Sequence, residues 1–237
     1  MRDVAFRWPG RGTPFGIAIL RFDLAPRERL LLIGPSGSGK STFLSLLCGI
    51  VTPQAGTIDV MGTNLTTLSR SARDTFRAAH FGIIFQMFNL LPYASVRDNV
   101  LLPLHFAQGR RNRASANGPI GAEADRLLTS VGIDPSRFEG QRAANLSVGQ
   151  QQRVAAARAL IGSPAIIVAD EPTSALDRNR QTQFLDLLFA EAARSGSAVI
   201  MVSHDETLGS RFDRVVRLDE IATPLSLSPP ASEATPA

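Results

Sequence analysis

Lysine, cysteine, tryptophan and tyrosine each occur once in 237 residues, and histidine only three times. A single cysteine, Cys48, excludes an internal disulfide and any cysteine-rich metal centre. It falls on the apolar side of a helix candidate and is expected to pack. The longest apolar runs are about five residues, far short of the ~20 that cross a bilayer. Met1-Arg2-Asp3-Val4 lacks the continuous apolar stretch of a signal peptide. The expectation is a soluble, cytoplasmic chain. The aromatic and basic residues do not interleave in the way that stacks bases, so nucleic acid is not expected as a partner despite a net charge of +4. That charge comes from arginine standing in nearly every cationic position. One cluster, Arg110, Arg111 and Arg113, lies among Gly109, Asn112, Ser115, Asn117, Gly118 and Pro119 and reads as an exposed loop. It would be either solvated or in contact with anionic lipid headgroups.

What is present points to one α/β domain with a sizeable insertion, and 44% hydrophobic residues suffice for a full core. Strand signals run over Val4–Trp8, Ile17–Phe22, Leu30–Ile33, Thr57–Val60 and Gly82–Phe85. From about Gln86 to Leu160 the pattern turns helical, with segments at Val96–His105, Ala122–Val131 and Gly149–Leu160. Strands return at Ile166–Ala169, Ala198–Val202 and Val215–Leu218, with a helical stretch at Asn179–Ala193. Alternating strands and helices predict a parallel sheet, and the helical block reads as an insertion into it. After Ala222 the proline-rich, nearly uncharged run reads as a disordered tail.

The lone lysine, Lys40, stands in Gly34-Pro35-Ser36-Gly37-Ser38-Gly39-Lys40-Ser41-Thr42. An ammonium is a compact charge on a flexible stem, whereas a guanidinium fork is too wide for a tight loop. The string matches the phosphate-binding P-loop, G-x-x-x-x-G-K-[ST]. In that motif glycine-rich backbone turns N–H groups onto phosphate, the lysine reaches the β- and γ-phosphates, and Ser41 would ligate Mg²⁺. The strand Leu30–Ile33 before it and a helix from Ser41 to Cys48 after it supply the right context.

Ile166-Ile167-Val168-Ala169-Asp170-Glu171 is a buried-strand pattern ending in adjacent carboxylates. Side chains alternate along a strand, so the two should diverge. This suits Asp170 facing a Mg²⁺ hydration shell and Glu171 facing an attacking water.

With Pro172-Thr173-Ser174-Ala175-Leu176-Asp177 following, the chain resembles the nucleotide-binding subunit of an ATP-binding-cassette (ABC) transporter from about Val4 to Leu218. Asn145-Leu146-Ser147-Val148-Gly149-Gln150-Gln151-Gln152-Arg153 is similar to the family signature LSGGQ, with Val148 where glycine is usual. A branched residue there would matter if the backbone needed φ > 0. The resemblance implies a P-loop NTPase (RecA-like) α/β fold with an N-terminal antiparallel β region. Its single domain would span 1–222, as a core of 1–86 and 161–222 with a helical subdomain at about 87–160, leaving 223–237 as the tail. It also implies ATP and Mg²⁺ as ligands. Ser147, Gly149 and Gln150 of one copy would then cap the γ-phosphate held by another.

Four further positions follow from the resemblance. Gln86 would contact Mg²⁺ or the water, and His204 would hold the γ-phosphate. Asp177 would cross a homodimer formed in the ATP state, and Trp8 would stack on adenine. His80 and His105 are expected to be structural or surface residues. Ala25-Pro26-Arg27-Glu28-Arg29 departs from the usual Gly-Glu ahead of the strand, which affects a turn. Phe88-Asn89-Leu90-Leu91-Pro92 and Asn99-Val100-Leu101-Leu102-Pro103-Leu104 are similar to the lipoprotein-release, macrolide-export and cell-division branch. That branch implies a few-span integral-membrane permease with a large extracytoplasmic domain, and a peripheral position at the cytoplasmic face of the inner membrane. The residues after Gln86 would form a groove for a permease helix. The alternatives are a permease-free soluble ABC ATPase, or a cell-division-type signalling ATPase without cargo.

Overall fold

The computed structural model describes residues 1–9, 15–174 and 176–225; Ala175 and most of the expected tail, 226–237, lie outside the described residues. The elements are β1 (Arg2–Arg7), β2 (Gly16–Arg21), β3 (Arg29–Ile33), α1 (Lys40–Leu47), β4 (Ala55–Thr57), β5 (Asp59–Val60) and β6 (Thr63–Asn64). They continue with α2 (Arg70–His80), β7 (Phe81–Ile84), α3 (Val96–Leu101), α4 (Gln108–Ala114), α5 (Ile120–Ser130) and α6 (Val148–Leu160). The last are β8 (Ile166–Asp170), α7 (Arg178–Ser195), β9 (Ala198–Ser203), β10 (Arg214–Arg217), α8 (Leu218–Ile221) and β11 (Ala222–Pro224).

A parallel sheet of order β10-β3-β9-β8-β7 forms the centre, and an antiparallel sheet of order β11-β2-β1-β4 lies beside it. The central strands are continuous apolar runs because both faces of a parallel sheet are covered. Leu31, Ile33, Ile167, Ala169, Val199 and Met201 join the core that includes the helical insertion. Their neighbours Leu30, Leu32, Ile166, Val168, Ile200 and Val202 join the core shared with α1 and the antiparallel sheet. Strands β7 and β8 are adjacent, with Ile84 opposite Ala169, yet α3 to α6 lie between them in the chain. The helical block is therefore inserted between two neighbouring strands.

Three expectations are corrected. The stretch Thr57–Val60 is two strands: β4 pairs with β1, while β5 forms a small hairpin with β6. Thr223 and Pro224, expected in the tail, belong to β11, opposite Ala18 and Ile17 of β2. Proline fits there because β11 is an edge strand. The arginine cluster is not an exposed loop but helix α4, and Arg110 is only 2% exposed. Its guanidinium donates from Nε to Ile161 O at 2.8 Å, from Nη1 to Phe81 O at 3.0 Å and from Nη2 to Ala159 O at 2.8 Å. Carbonyls at the end of α6 have no intrahelical donor, and Arg110 supplies one. Arg113 adds bonds to Gly162 O at 2.8 Å and Ala79 O at 2.9 Å. Burial, with the Arg113 charge beside it, pushes the Arg110 guanidinium down to about 9, and the surrounding carbonyl oxygens favour its charged form.

Candidate active site

The loop between β3 and α1 is shaped by its glycines. Gly39 has φ 105°, and a Cβ there would lie 2.7 Å from Phe15 Cζ, so both backbone and space require glycine. Helix α1 starts with no side-chain cap and no acidic residue in its first turn, which leaves its positive end facing the loop. Lys40 is 6% exposed, and its Nζ donates to Gly34 O at 2.7 Å and Pro35 O at 2.9 Å. Ser38 Oγ is buried with no hydrogen-bond partner among the described residues. An orphaned hydroxyl, a glycine cradle and an uncapped helix N-terminus fit a phosphate chain.

Strands β3, β9 and β8 run side by side, pairing Ile33 with Ser203 and Asp170 with Val202. Their C-terminal ends, where ligands bind in open α/β sheets, therefore deliver three groups to one edge. Ser41 Oγ donates to Asp170 Oδ2 at 3.1 Å. Glu171 turns away: its Oε2 is 3.0 Å from His204 Nδ1, and its Oε1 is 3.9 Å from Lys40 Nζ. Its backbone is left-handed, φ 44°, and its N–H donates to Val202 O at 3.0 Å. A non-glycine residue held this way, beside Lys40 and His204, has a constrained geometry. Burial, with the Glu171 charge adding, raises the Asp170 carboxyl above its ordinary range, against the pull of Ser41 and Lys40. Trp8 Nε1 donates to Thr42 Oγ1 at 3.1 Å while the ring, 41% exposed, packs edge-on to Phe6 at 5.1 Å.

Gln86 lies in an exposed turn just past β7. Because Ile84 is opposite Ala169, it leaves the sheet at the same end as Asp170. Ser147 caps α6 reciprocally: Gln150 Oε1 accepts from Ser147 N at 2.9 Å, and Ser147 Oγ accepts from Gln150 N at 3.4 Å. Val148 is the first helical residue and is 53% exposed. It is not left-handed, so the departure from glycine carries no backbone strain. A Cβ at Gly149 would meet nothing within 4 Å. Asp177 caps α7, accepting from Arg180 N at 3.0 Å. Among the described residues neither Asp177 nor the Ser147 group bonds to the phosphate loop, Asp170, Glu171 or His204. The fold thus gathers Trp8, Lys40, Ser41, Thr42, Asp170, Glu171 and His204, whereas the signature residues and Asp177 make local capping bonds at the starts of α6 and α7.

The turn before β3 shows the consequence of losing the usual glycine, since Arg27 occupies a left-handed position at φ 63°. Residues after Gln86 divide their roles: Phe88 is in the core, whereas Met87 and Tyr93 are exposed. Phe85, Leu102, Pro103 and Phe106 line a nearby groove of about 590 Å³. Sequence reasoning missed Phe15, which closes on Gly39, because an isolated aromatic before a strand carries no motif. No helix among the described residues is long and apolar enough to cross a membrane.

Comparison with known proteins agrees with this geometry. The ABC transporter family model matches residues 17–174. The chain is 38% identical over 201 residues to the lipoprotein-releasing system ATP-binding protein LolD of Chromohalobacter salexigens, covering 85% of this chain and 81% of that protein. It is 37% identical over 209 residues to the macrolide export ATP-binding/permease protein MacB of Rhodopseudomonas palustris, covering 88% of this chain and 31% of that longer protein. The dimeric post-hydrolysis structure of the ATP-binding cassette MJ0796 bound to ADP and Pi superposes with a TM-score of 0.74 at 31% identity, covering 91% of this chain and 92% of that one. Phosphate loop, paired carboxylates and sequence kinship together make this chain a member of the ABC transporter family, an ATP-binding, ATP-hydrolysing cassette.

Proposed function

We propose that this cassette energises a separate few-span membrane permease with a large extracytoplasmic domain, through ATP-driven pairing of two copies. It would work at the cytoplasmic face of the inner membrane, in export, lipoprotein or lipid release, or mechanotransmission. The observation that carries the reading is the split site. Lys40, Ser41, Asp170, Glu171 and His204 converge at one sheet edge, while the start of α6 presents an exposed Ser147 that bonds to none of them. In a two-fold pair each copy's exposed cap would close the other's loop, with Asp177 beside the boundary. The dimeric MJ0796 cassette supports that arrangement.

Within one copy the loop N–H groups and Lys40 would hold the β- and γ-phosphates, and Trp8 would stack on adenine. Ser41 and Asp170, with Gln86, would hold Mg²⁺. Among the described residues no group of three or more His, Cys, Asp or Glu is arranged to hold a metal ion by itself, so the ion would take its other ligands from phosphate and water. Mg²⁺ would supply charge neutralisation on the transferring phosphoryl group. Glu171, bonded to His204, would take a proton from the attacking water, and His204 would hold the γ-phosphate. The groove beside Phe85 and Phe106 would receive a short helix of the permease. The names of LolD and MacB support a release or export role.

The test is purification of tagged Glu171→Gln protein from host membranes with ATP present, followed by mass spectrometry. Stoichiometric recovery of a few-span permease is expected. A protein that remains soluble and partnerless would overturn the permease reading. Lys40→Ala should abolish turnover, and wild-type rates would refute the phosphate-loop role.

A further inference from the structure

Arg158 lies in the last turn of α6, 7% exposed, and no carboxylate among the described residues pairs with it. Its guanidinium instead donates from Nη1 to Asn89 O at 2.6 Å and from Nη2 to Phe88 O. Those two residues have φ 49° and 58°. A residue with a Cβ enters that left-handed region only against a steric cost. They begin two positions after Gln86, and the Asn89 N–H turns back to Met87 O at 2.6 Å. A planar fork suits this task because it fixes the spacing of two acceptors, which an ammonium does not. Burial holds the Arg158 guanidinium below the usual arginine range, and the two carbonyl oxygens stand in for a counterion. The same side chain lines the groove beside Phe85 and Phe106. Helix α6, 13 residues long, carries Ser147 at its other end, about 17 Å from Arg158 along the axis at 1.5 Å per residue.

We infer that Arg158 is a positioning residue for ATP hydrolysis: it holds Phe88 and Asn89 left-handed, fixes the direction in which Gln86 leaves β7, and ties that segment to the signature helix. The inference rests on the proposed contact of Gln86 with the nucleotide site. Groove, Gln86 turn and signature helix then move as one body. Any partner seated in the groove acts on the other two through a single guanidinium.

The full chain is compared as wild type, Arg158→Met, Arg158→Lys, Arg158→Met with Asn89→Gly, and Gln86→Ala. Peptide-level hydrogen exchange, kcat, KM and ADP affinity are measured well below each melting temperature. Arg158→Met should speed exchange at residues 86–89 and lower kcat about tenfold, as expected for a misplaced catalytic group. ADP affinity should stay within about twofold, because the phosphate loop is untouched. Asn89→Gly should restore part of the lost kcat, since glycine adopts the left-handed conformation without being held. A merely structural role predicts no such rescue. Arg158→Lys, the variant less apt to misfold, should show the same changes at smaller size. Wild-type kcat and exchange in both Arg158 variants, or no rescue by glycine, overturns the inference. Wild-type turnover by Gln86→Ala refutes the reading of Gln86 instead, and exchange at 86–89 still decides whether Arg158 holds the segment.

Discussion

Arg110 carries no catalytic duty, and its replacement by methionine tests how the helical insertion is fastened to the sheet. Methionine keeps the unbranched stem and deletes every donor. Three buried carbonyls, of Phe81, Ala159 and Ile161, would lose their guanidinium partner. Each unsatisfied buried carbonyl costs ~1–3 kcal/mol, so the gross loss is ~3–9 kcal/mol. Against it stands the desolvation cost of the guanidinium, several kcal/mol, which the variant no longer bears. The net expectation is a destabilisation of about 3 kcal/mol, or ~6–12 °C in melting temperature for a chain of this size. Calorimetry and urea titration should agree, with the midpoint falling and the m-value unchanged. A shift under about 2 °C would refute the argument, because it would mean that those carbonyls find water or other donors at no cost.

Asp170→Asn should melt higher at neutral pH while losing turnover. Its folded-state carboxyl is raised above the ordinary value of 3.8. Ionisation therefore costs stability that sets in above that pH and is complete above the folded-state value. Asparagine keeps the acceptor for Ser41 without the charge, so the gain should vanish in acid; a gain that persists there would contradict the assignment. Trp8→Ala should weaken ATP binding by about 1–3 kcal/mol, roughly 5- to 150-fold in Kd by calorimetry, with kcat at saturation retained. An unchanged Kd would remove Trp8 from the site. Gly39→Ala should abolish nucleotide binding with the far-ultraviolet circular dichroism intact, since φ 105° and Phe15 both exclude a Cβ. Normal binding would show that the loop rearranges freely.

The parallel sheet was legible because strands buried on both faces leave unbroken apolar runs, as at Leu30–Ile33 and Ile166–Ala169. The grouping of Lys40, Asp170 and Glu171 was legible because each stands in a motif of fixed residue types at fixed spacings, next to an apolar strand. Helix α2 was not: none of its residues is fully buried, and Phe76 is the one large apolar side chain it turns to the core, too little for an apolar run to show. Helix α4 was hidden for a different reason. Its buried positions, Arg110 and Ala114, are one helical turn apart, but an arginine occupies the first. A search that counts only apolar side chains cannot see a helix fastened by carbonyl-seeking guanidiniums. Arg158 escaped for the same reason, since nothing local in the sequence says that its partners are main-chain oxygens 69 and 70 positions away.

The bond from Trp8 to Thr42 has a practical consequence. This is the chain's one indole, and the one tyrosine, Tyr93, sits exposed near the start of the helical insertion. Light selective for indole therefore excites a single point, one hydrogen bond from the first turn of α1. Whatever enters, leaves or closes over that turn changes the emission of the whole molecule, with no second fluorophore to dilute the signal. The cassette carries its own optical probe, and each step of its cycle at that turn can be timed without a label.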